Sequence, residues 1–269
     1  MLTSDSKATE ARSPEVVVTT PFIEDATAFM LDCCSVGGWG LISGPNGSGK
    51  TVAMRRLAAR YSQHGLGGTA FYYCCRPVEG TTRAVKDLLA EMEIGGALIQ
   101  QGQGAPLQLL FKVALREFKR RDVRLLLLDE SSRCDAAAIE GLVALYDYMR
   151  EKGHPLAIIL ASASEQPEWL NLVPSAQSRT LAAVKAEELS LALMLGIVRE
   201  WSDEFASLAD SYDNGNKEAI VAAETIYGRV GSNFRRLNFF VSLYIRHFAG
   251  KEITPARVKE VFSRMTEGN

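Results

Sequence analysis

Apolar and polar positions follow two rhythms along this chain, and the rhythm changes near residue 185. Before that point, short apolar runs alternate with segments whose apolar residues recur every three or four positions. The runs are Trp39-Gly40-Leu41-Ile42, Thr69-Ala70-Phe71-Tyr72-Tyr73-Cys74-Cys75, Arg124-Leu125-Leu126-Leu127-Leu128 and Leu156-Ala157-Ile158-Ile159-Leu160-Ala161. Runs of that length read as strands, and an unbroken one reads as a strand covered on both faces. A short fifth strand is expected over 180–184. Helical spacing appears in Phe22, Ala26, Phe29, Met30 and Cys33, ahead of Gly37-Gly38, and again over 52–60. Thr81-Thr82 are placed to cap a helix running to about Met92. Leu107, Leu110, Phe111, Ala114, Leu115 and Phe118 predict another, and Ile139, Leu142, Tyr146 and Met149 give Asp135 to Arg150 a core face. Alternating strands and helices predict a three-layer α/β domain with a parallel sheet. Beyond Ala186 the spacing predicts helices over about 187–206, 216–229, 232–248 and 254–265, and no strand. The division is a polar tail over 1–15, an α/β domain over 16–185 and a small all-helical domain over 186–269. The glycine- and glutamine-rich stretch 95–104 reads as a loop.

Chemistry enters between the first strand and the helix after it. Gly44-Pro45-Asn46-Gly47-Ser48-Gly49-Lys50-Thr51 fits the pattern G-x-x-x-x-G-K-[ST], with a strand before and a helix behind, the context that gives the pattern meaning. Glycines at those positions let successive backbone N–H groups turn inward around phosphate oxygens, and the helix N-terminus adds partial positive charge. Lys50 reaches the β- and γ-phosphates and the Thr51 hydroxyl ligates Mg²⁺. The spacing predicts binding of a nucleoside triphosphate, ATP, with Mg²⁺.

The third apolar run ends in two carboxylates, Asp129-Glu130. Acids at the C-terminal end of a buried parallel strand lie where open α/β sheets bind their ligands. Asp129 is expected to hold the Mg²⁺ shell, an oxygen-ligand task. Glu130 is expected to orient and deprotonate the attacking water. Together the two motifs predict hydrolysis, an ATPase.

Composition narrows the setting. A chain of 269 residues, 47% hydrophobic and 23% charged, has the make-up of a globular protein with a full core. No apolar run approaches the 18 or so residues of a membrane span, so no membrane partner is expected. Met1 to Glu15 lack the basic start and apolar block of a secretory signal. The cysteines Cys33, Cys34, Cys74, Cys75 and Cys134 include two adjacent pairs without metal-binding spacing, and they are expected as reduced thiols of a cytoplasmic protein. Cys74 and Cys75 are expected to be buried at a strand end. The net charge of −2 carries no global sign of nucleic-acid binding, so any such surface is local.

A nucleotide domain followed by a helical lid resembles the AAA+ ATPases, and three further segments carry the resemblance. Strand four ends Leu160-Ala161-Ser162, where a polar residue resembles the family's sensor 1; Ser162 takes the role, with Ser164 as the second candidate, although the family more often has Asn or Thr there. Ser178-Arg179, before the fifth strand, looks like the family's arginine finger, which serves a neighbouring subunit's γ-phosphate. Gly231-Ser232-Asn233-Phe234-Arg235-Arg236-Leu237 resembles the lid's sensor 2 motif, with Arg235 matching the arginine. The Gly-Pro-Asn-Gly-Ser-Gly-Lys wording is also found in ABC transporter ATPases, but no L-S-G-G-Q segment precedes the acidic strand.

Within AAA+ proteins the layout most resembles the transposition regulators of the phage Mu protein B, TnsC and TniB type. The resemblance covers about 20–265 and rests on Asp129-Glu130-Ser131 followed by a helix, the G-x-N-F-R-R-L lid, and Ile253-Thr254-Pro255 beyond it. It implies a homo-oligomer, ring or helical filament, formed with ATP on double-stranded DNA, and a transposase as partner. Replication initiators and helicase loaders share much of the pattern and form the alternative. From another class, the alternative is a nucleotide-controlled protein scaffold without DNA binding. DNA contacts are expected from Arg76, Arg83 and Lys86 after strand two, or from Lys112, Arg116, Lys119, Arg120 and Arg121; phosphate contact needs only positive charge on the facing side.

Overall fold

The computed structural model describes residues 20–77, 80–92, 106–165, 167–186, 188–231 and 233–267. The expected tail over 1–15 and loop over 95–104 lie outside the described residues. Helix α1 (Pro21–Val36) opens on Thr20, whose hydroxyl accepts from Ile23 N, and closes on Gly37 in the left-handed region. Strand β1 (Trp39–Ser43) follows, then α2 (Lys50–Arg60), β2 (Thr69–Cys74), α3 (Thr81–Glu91) and α4 (Leu107–Arg121). Next come β3 (Val123–Asp129), α5 (Ala136–Glu151), β4 (Ala157–Ser162), the short α6 (Glu168–Leu172) and α7 (Pro174–Arg179), and β5 (Thr180–Lys185).

The five strands form one parallel sheet in the order β2-β3-β4-β1-β5. Side chains of β3 alternate between two cores. Leu125 and Leu127 pack with α1 and α2 around Met30, Met54 and Leu57, while Leu126 and Leu128 pack with α3, α4 and α5 around Leu88, Phe118 and Leu145. That two-sided burial is why β3 is apolar at every position from Leu125 to Leu128. Helix α1 comes so close to β1 that a Cβ on Gly40 would sit 2.7 Å from the Phe29 ring. The chain leaving β1 crosses to β2 at one edge, and the chain leaving β4 crosses to β5 at the other. The crevice between β1 and β4 is therefore a topological switch point, where such sheets bind ligands.

After β5 the chain is helical: α8 (Leu191–Arg199), α9 (Asp203–Asp213), α10 (Lys217–Val230), α11 (Phe234–Phe248) and α12 (Pro255–Glu267). These helices share a separate core around Phe205, Phe240, Tyr244 and Phe262, with the Phe240 and Phe262 rings stacked at 4.7 Å.

Two expected elements differ in detail. The single helix over 187–206 is two, because Asp203 and Glu204 occupy a new first turn, where acidic side chains favour a helix N-terminus. Thr81 and Thr82 do not cap α3; they are its first residues, and Gly80 holds the cap position. Thr81 instead donates its hydroxyl to Ala137 O at the start of α5, 2.9 Å away, tying the two helices together. Among the described residues no helix is long and apolar enough to cross a membrane.

Candidate nucleotide-binding site

The loop between β1 and α2 is built by backbone geometry that side chains resist. Gly44, Gly47 and Gly49 have φ of 142°, 85° and 100°. A Cβ on Gly44 would lie 2.6 Å from the Ala186 methyl, and one on Gly47 would collide with the Asn233 carboxamide. Ser48 N donates back to Pro45 O at 3.2 Å, closing the turn around Asn46. The Lys50 side chain bends back under the loop, and its Nζ donates to Gly44 O at 2.7 Å and Pro45 O at 2.9 Å. Lys50 is only 8% exposed. Burial holds its ammonium below the usual lysine range, and the charges of Asp129 and Glu130 pull the other way.

Thr51 and Asp129, 78 positions apart, meet at the mouth of this loop. Thr51 Oγ1 donates to Asp129 Oδ2 at 2.6 Å. A second hydroxyl reaches the same oxygen, Tyr72 OH at 2.9 Å, and Glu130 N donates to Asp129 Oδ1 at 2.9 Å. The carboxylate is 2% exposed and held on both oxygens. Burial, with the Asp129 charge, pushes the Tyr72 phenol well above the ordinary tyrosine range, so it stays a hydrogen-bond donor. The Arg55 guanidinium, one turn along α2 from Thr51, lies 5.0 Å from the Tyr72 ring centroid.

Glu130 has φ 56° and ψ 38°, a left-handed backbone that costs a non-glycine residue of order 1 kcal/mol or more. That conformation turns the chain out of β3 into the 3-10 turn Ser131–Arg133. Arg133 Nε stands 3.8 Å from Glu130 Oε2. Ser131, fully buried, fastens the turn to the next strand by donating to Ala161 O at 2.9 Å. In β4, Ser162 is in register with Ser43 at the end of β1, so it borders the phosphate loop. Its Oγ accepts from Ser164 N at 3.1 Å, making Ser162 the buried member of the pair and Ser164 an exposed neighbour.

The helical region docks directly on the loop. Phe234 N donates to Gly47 O at 3.1 Å, and Asn233 Oδ1 caps α11 by accepting from the backbone N–H of Arg235 and Arg236 at 3.0 and 3.1 Å. Arg235, on the first turn of α11, is exposed.

Arg179 lies away from this cluster at the end of α7. Its Nε and Nη2 donate to the two oxygens of Asp147 on α5 at 2.9 and 2.7 Å, and Nη1 donates to Ser175 O at 2.7 Å.

The expected DNA contacts stand apart again, in exposed ion pairs. Arg76 Nη2 meets Glu91 at 2.9 Å, Arg83 Nε is 3.8 Å from Asp87, and Lys86 shares α3 with Arg83. In the second basic cluster Arg116, Arg120 and Arg121 surround Glu117 at 3.2, 2.8 and 3.9 Å, and Lys119 donates to Lys152 O. Lys112 lies on the same helix, α4.

One expectation about the cysteines is corrected. Cys75 is buried, but Cys74 is exposed, since it ends β2 at the edge of the sheet. All five thiols are free.

Sequence reasoning gave no role of their own to Tyr72, Ser131, Asn233 and Asp147, although Ser131 and Asn233 lie within the quoted motifs. The N-cap preference of asparagine could have singled out Asn233. Nothing in the sequence sets Tyr72 beside Asp129 or Asp147 beside Arg179.

Parallel sheet, glycine-lined loop, buried lysine and converging hydroxyl and carboxylate define a P-loop nucleotide-binding protein. The AAA domain family matches residues 35–170, half of the chain, and the chain belongs to that family. Its fold is similar to that of the ORC2 protein of Aeropyrum pernix in its ADP form, with a TM-score of 0.64 and 14% identity over 95% of this chain and 71% of that one. It is similar also to the Aeropyrum pernix ORC1 protein in complex with DNA, with a TM-score of 0.59 and 15% identity over 94% and 66%. Domain III of the Thermotoga maritima replication initiation protein DnaA gives 0.57 and 16% over 92% and 94%. No curated protein matches the chain in sequence.

Proposed function

We propose that the protein is an AAA+ ATPase that binds ATP with Mg²⁺, hydrolyses it, and assembles on duplex DNA according to its nucleotide state, in the manner of a replication initiator or helicase loader. The observation that carries this reading is the 2.6 Å contact between Thr51 and Asp129, which gathers the phosphate loop and the acidic strand into one oxygen site. Its donors are hard oxygens, and among the described residues no group of three His, Cys, Asp or Glu could hold a metal alone. That fits Mg²⁺, which keeps several waters and takes one or two protein oxygens alongside phosphates.

Bound MgATP supplies the transferable γ-phosphoryl group and a cation that neutralises its charge. The loop N–H groups and Lys50 bind the phosphates, and Thr51 with Asp129 holds the cation. Glu130 accepts the proton of the attacking water at its carboxylate, and Ser162 orients that water from the neighbouring strand. Arg235 reaches the nucleotide from its own subunit's lid, residues 186–269, and Arg179 reaches the site of a neighbouring subunit. Arg76, Arg83 and Lys86 meet DNA phosphates; one to three contacts per subunit gain strength by repetition along the oligomer.

Likeness to ORC1, ORC2 and DnaA supports a role in replication above the transposition role that the lid and acidic motifs suggest. The test is fluorescence anisotropy of a long duplex across salt concentrations, with and without a non-hydrolysable ATP analogue. Binding that requires the analogue and weakens with salt is expected. Absence of nucleotide-dependent binding at low salt would favour the scaffold alternative. Retention of a replicative helicase, and not a transposase, by the assembled protein separates the two DNA roles.

A further inference from the structure

Asp129 is the junction of three elements. Its Oδ2 accepts from Thr51 of α2 and from Tyr72 of β2, at 2.6 and 2.9 Å, while Oδ1 accepts the N–H of Glu130, where β3 turns out of the sheet. The Thr51 hydroxyl spends its one proton on this bond and keeps its lone pairs, so the same oxygen can face a cation while still donating to Oδ2. Tyr72 is the second side chain holding Oδ2, and its oxygen is the one with no cation to serve.

The Tyr72 ring is itself fixed from behind. Arg55 sits four residues after Thr51 on α2, so both project from one helix face. Its guanidinium covers the ring at 5.0 Å while the hydroxyl points to Asp129. The strand register explains the reach. Cys74 is the direct partner of Asp129 and Tyr72 the partner of Leu127, so Tyr72 shares a sheet face with Cys74 and Asp129. A tyrosine spans the two-residue offset along that face, as long side chains do between diagonal neighbours.

We propose that Tyr72 is a positioning residue for the cation-holding carboxylate: together with Thr51 it keeps Asp129 Oδ2 aimed at the cation. The proposal rests on the nucleotide-site reading above. It assigns Tyr72 no contact with nucleotide, so its loss is felt only when the cation is bound.

The experiment titrates Mg²⁺ against binding of a fluorescent ADP analogue to the full chain, with a parallel measurement in EDTA. Tyr72→Phe removes one oxygen and keeps the ring under Arg55. The expected result is a Mg²⁺ midpoint about tenfold higher, the lower end of what loss of a partner behind a metal ligand costs. Affinity in EDTA and the thermal midpoint are expected to match wild type. In an Asp129→Ala background, the Tyr72→Phe change is expected to add no further shift, because the phenol acts through that carboxylate. An unchanged midpoint, an equal loss of affinity in EDTA, or a full tenfold effect without Asp129 would each overturn the role of Tyr72. Wild-type protein whose nucleotide affinity ignores Mg²⁺ would overturn the site reading beneath it instead.

Discussion

Arg179 grips both carboxylate oxygens of Asp147, through Nε at 2.9 Å and Nη2 at 2.7 Å, while Nη1 donates to Ser175 O. A guanidinium has five N–H groups, and three of them are engaged in these bonds. The paired fork onto Asp147 fixes the orientation of the guanidinium. Arg179→Ala is expected to lower ATPase turnover by about a thousandfold, as loss of an arginine finger does. Mixing it with Lys50→Ala protein is expected to restore part of the rate, since a Lys50→Ala subunit still brings Arg179 to the intact phosphate loop of an Arg179→Ala neighbour. Asp147→Asn, which keeps the arginine and loosens its aim, is expected to cost about tenfold. Steady-state ATPase assays of single and mixed variants decide; no recovery in variants that still co-assemble would remove Arg179 from the neighbour's site.

Lys50 and Glu130 are expected to fail in different ways. Lys50→Ala takes away the charge behind the loop carbonyls and should abolish nucleotide binding. Glu130→Gln keeps size and backbone, so binding should remain within a few-fold while turnover falls by about 10²–10⁴, the range for a positioned base. Equilibrium binding and phosphate release measured together test both. Normal turnover in Glu130→Gln would end its assignment as the base.

Asn233 and Phe234 meet the phosphate loop at Gly47. Asn233→Ala removes the side-chain acceptor for two N–H groups of α11 and is expected to cost about 1 kcal/mol of stability. Because Asn233 also packs on Gly47, nucleotide affinity should fall with it. Chemical denaturation and nucleotide binding give the two values. Lost stability with unchanged affinity would confine Asn233 to capping.

His154 offers a prediction in pH. It is buried beneath Phe118, and its Nε2–H donates to Val123 O at 2.7 Å. Burial lowers its folded-state pKa below the ordinary value of 6.5. The unfolded chain therefore takes up a proton first as pH falls, and stability drops between 6.5 and the lower folded value. Above 6.5 the contribution is fully present. Denaturation of wild type and His154→Gln from pH 5 to 8 is the check; the variant should show a flatter profile on the acid side, and equal slopes would exclude His154.

Much of the fold is legible in the sequence because its causes are local. The apolar run Leu125–Leu128 reads as a strand buried on both faces, and the glycines of the phosphate loop mark a backbone that other residues resist. Gly44 to Thr51 and Asp129-Glu130 therefore declare themselves without coordinates. What the sequence could not decide is which side chains meet across the sheet. Strand order puts β2 beside β3, and register then brings the Tyr72 hydroxyl to Asp129; a shift of one residue would turn Tyr72 to the opposite face. The split of 187–206 into α8 and α9 was hidden for a related reason, since apolar spacing continues across the break and only the acidic first turn marks it. Asp147 and Arg179 are 32 positions apart, and Asn233 stands 186 positions after Gly47. Local pattern sets which segments become strands, helices and phosphate loop. Packing of those segments in three dimensions sets which distant hydroxyls, carboxylates and amides share a site, because hydrogen bonds act over about 3 Å whatever the separation in sequence.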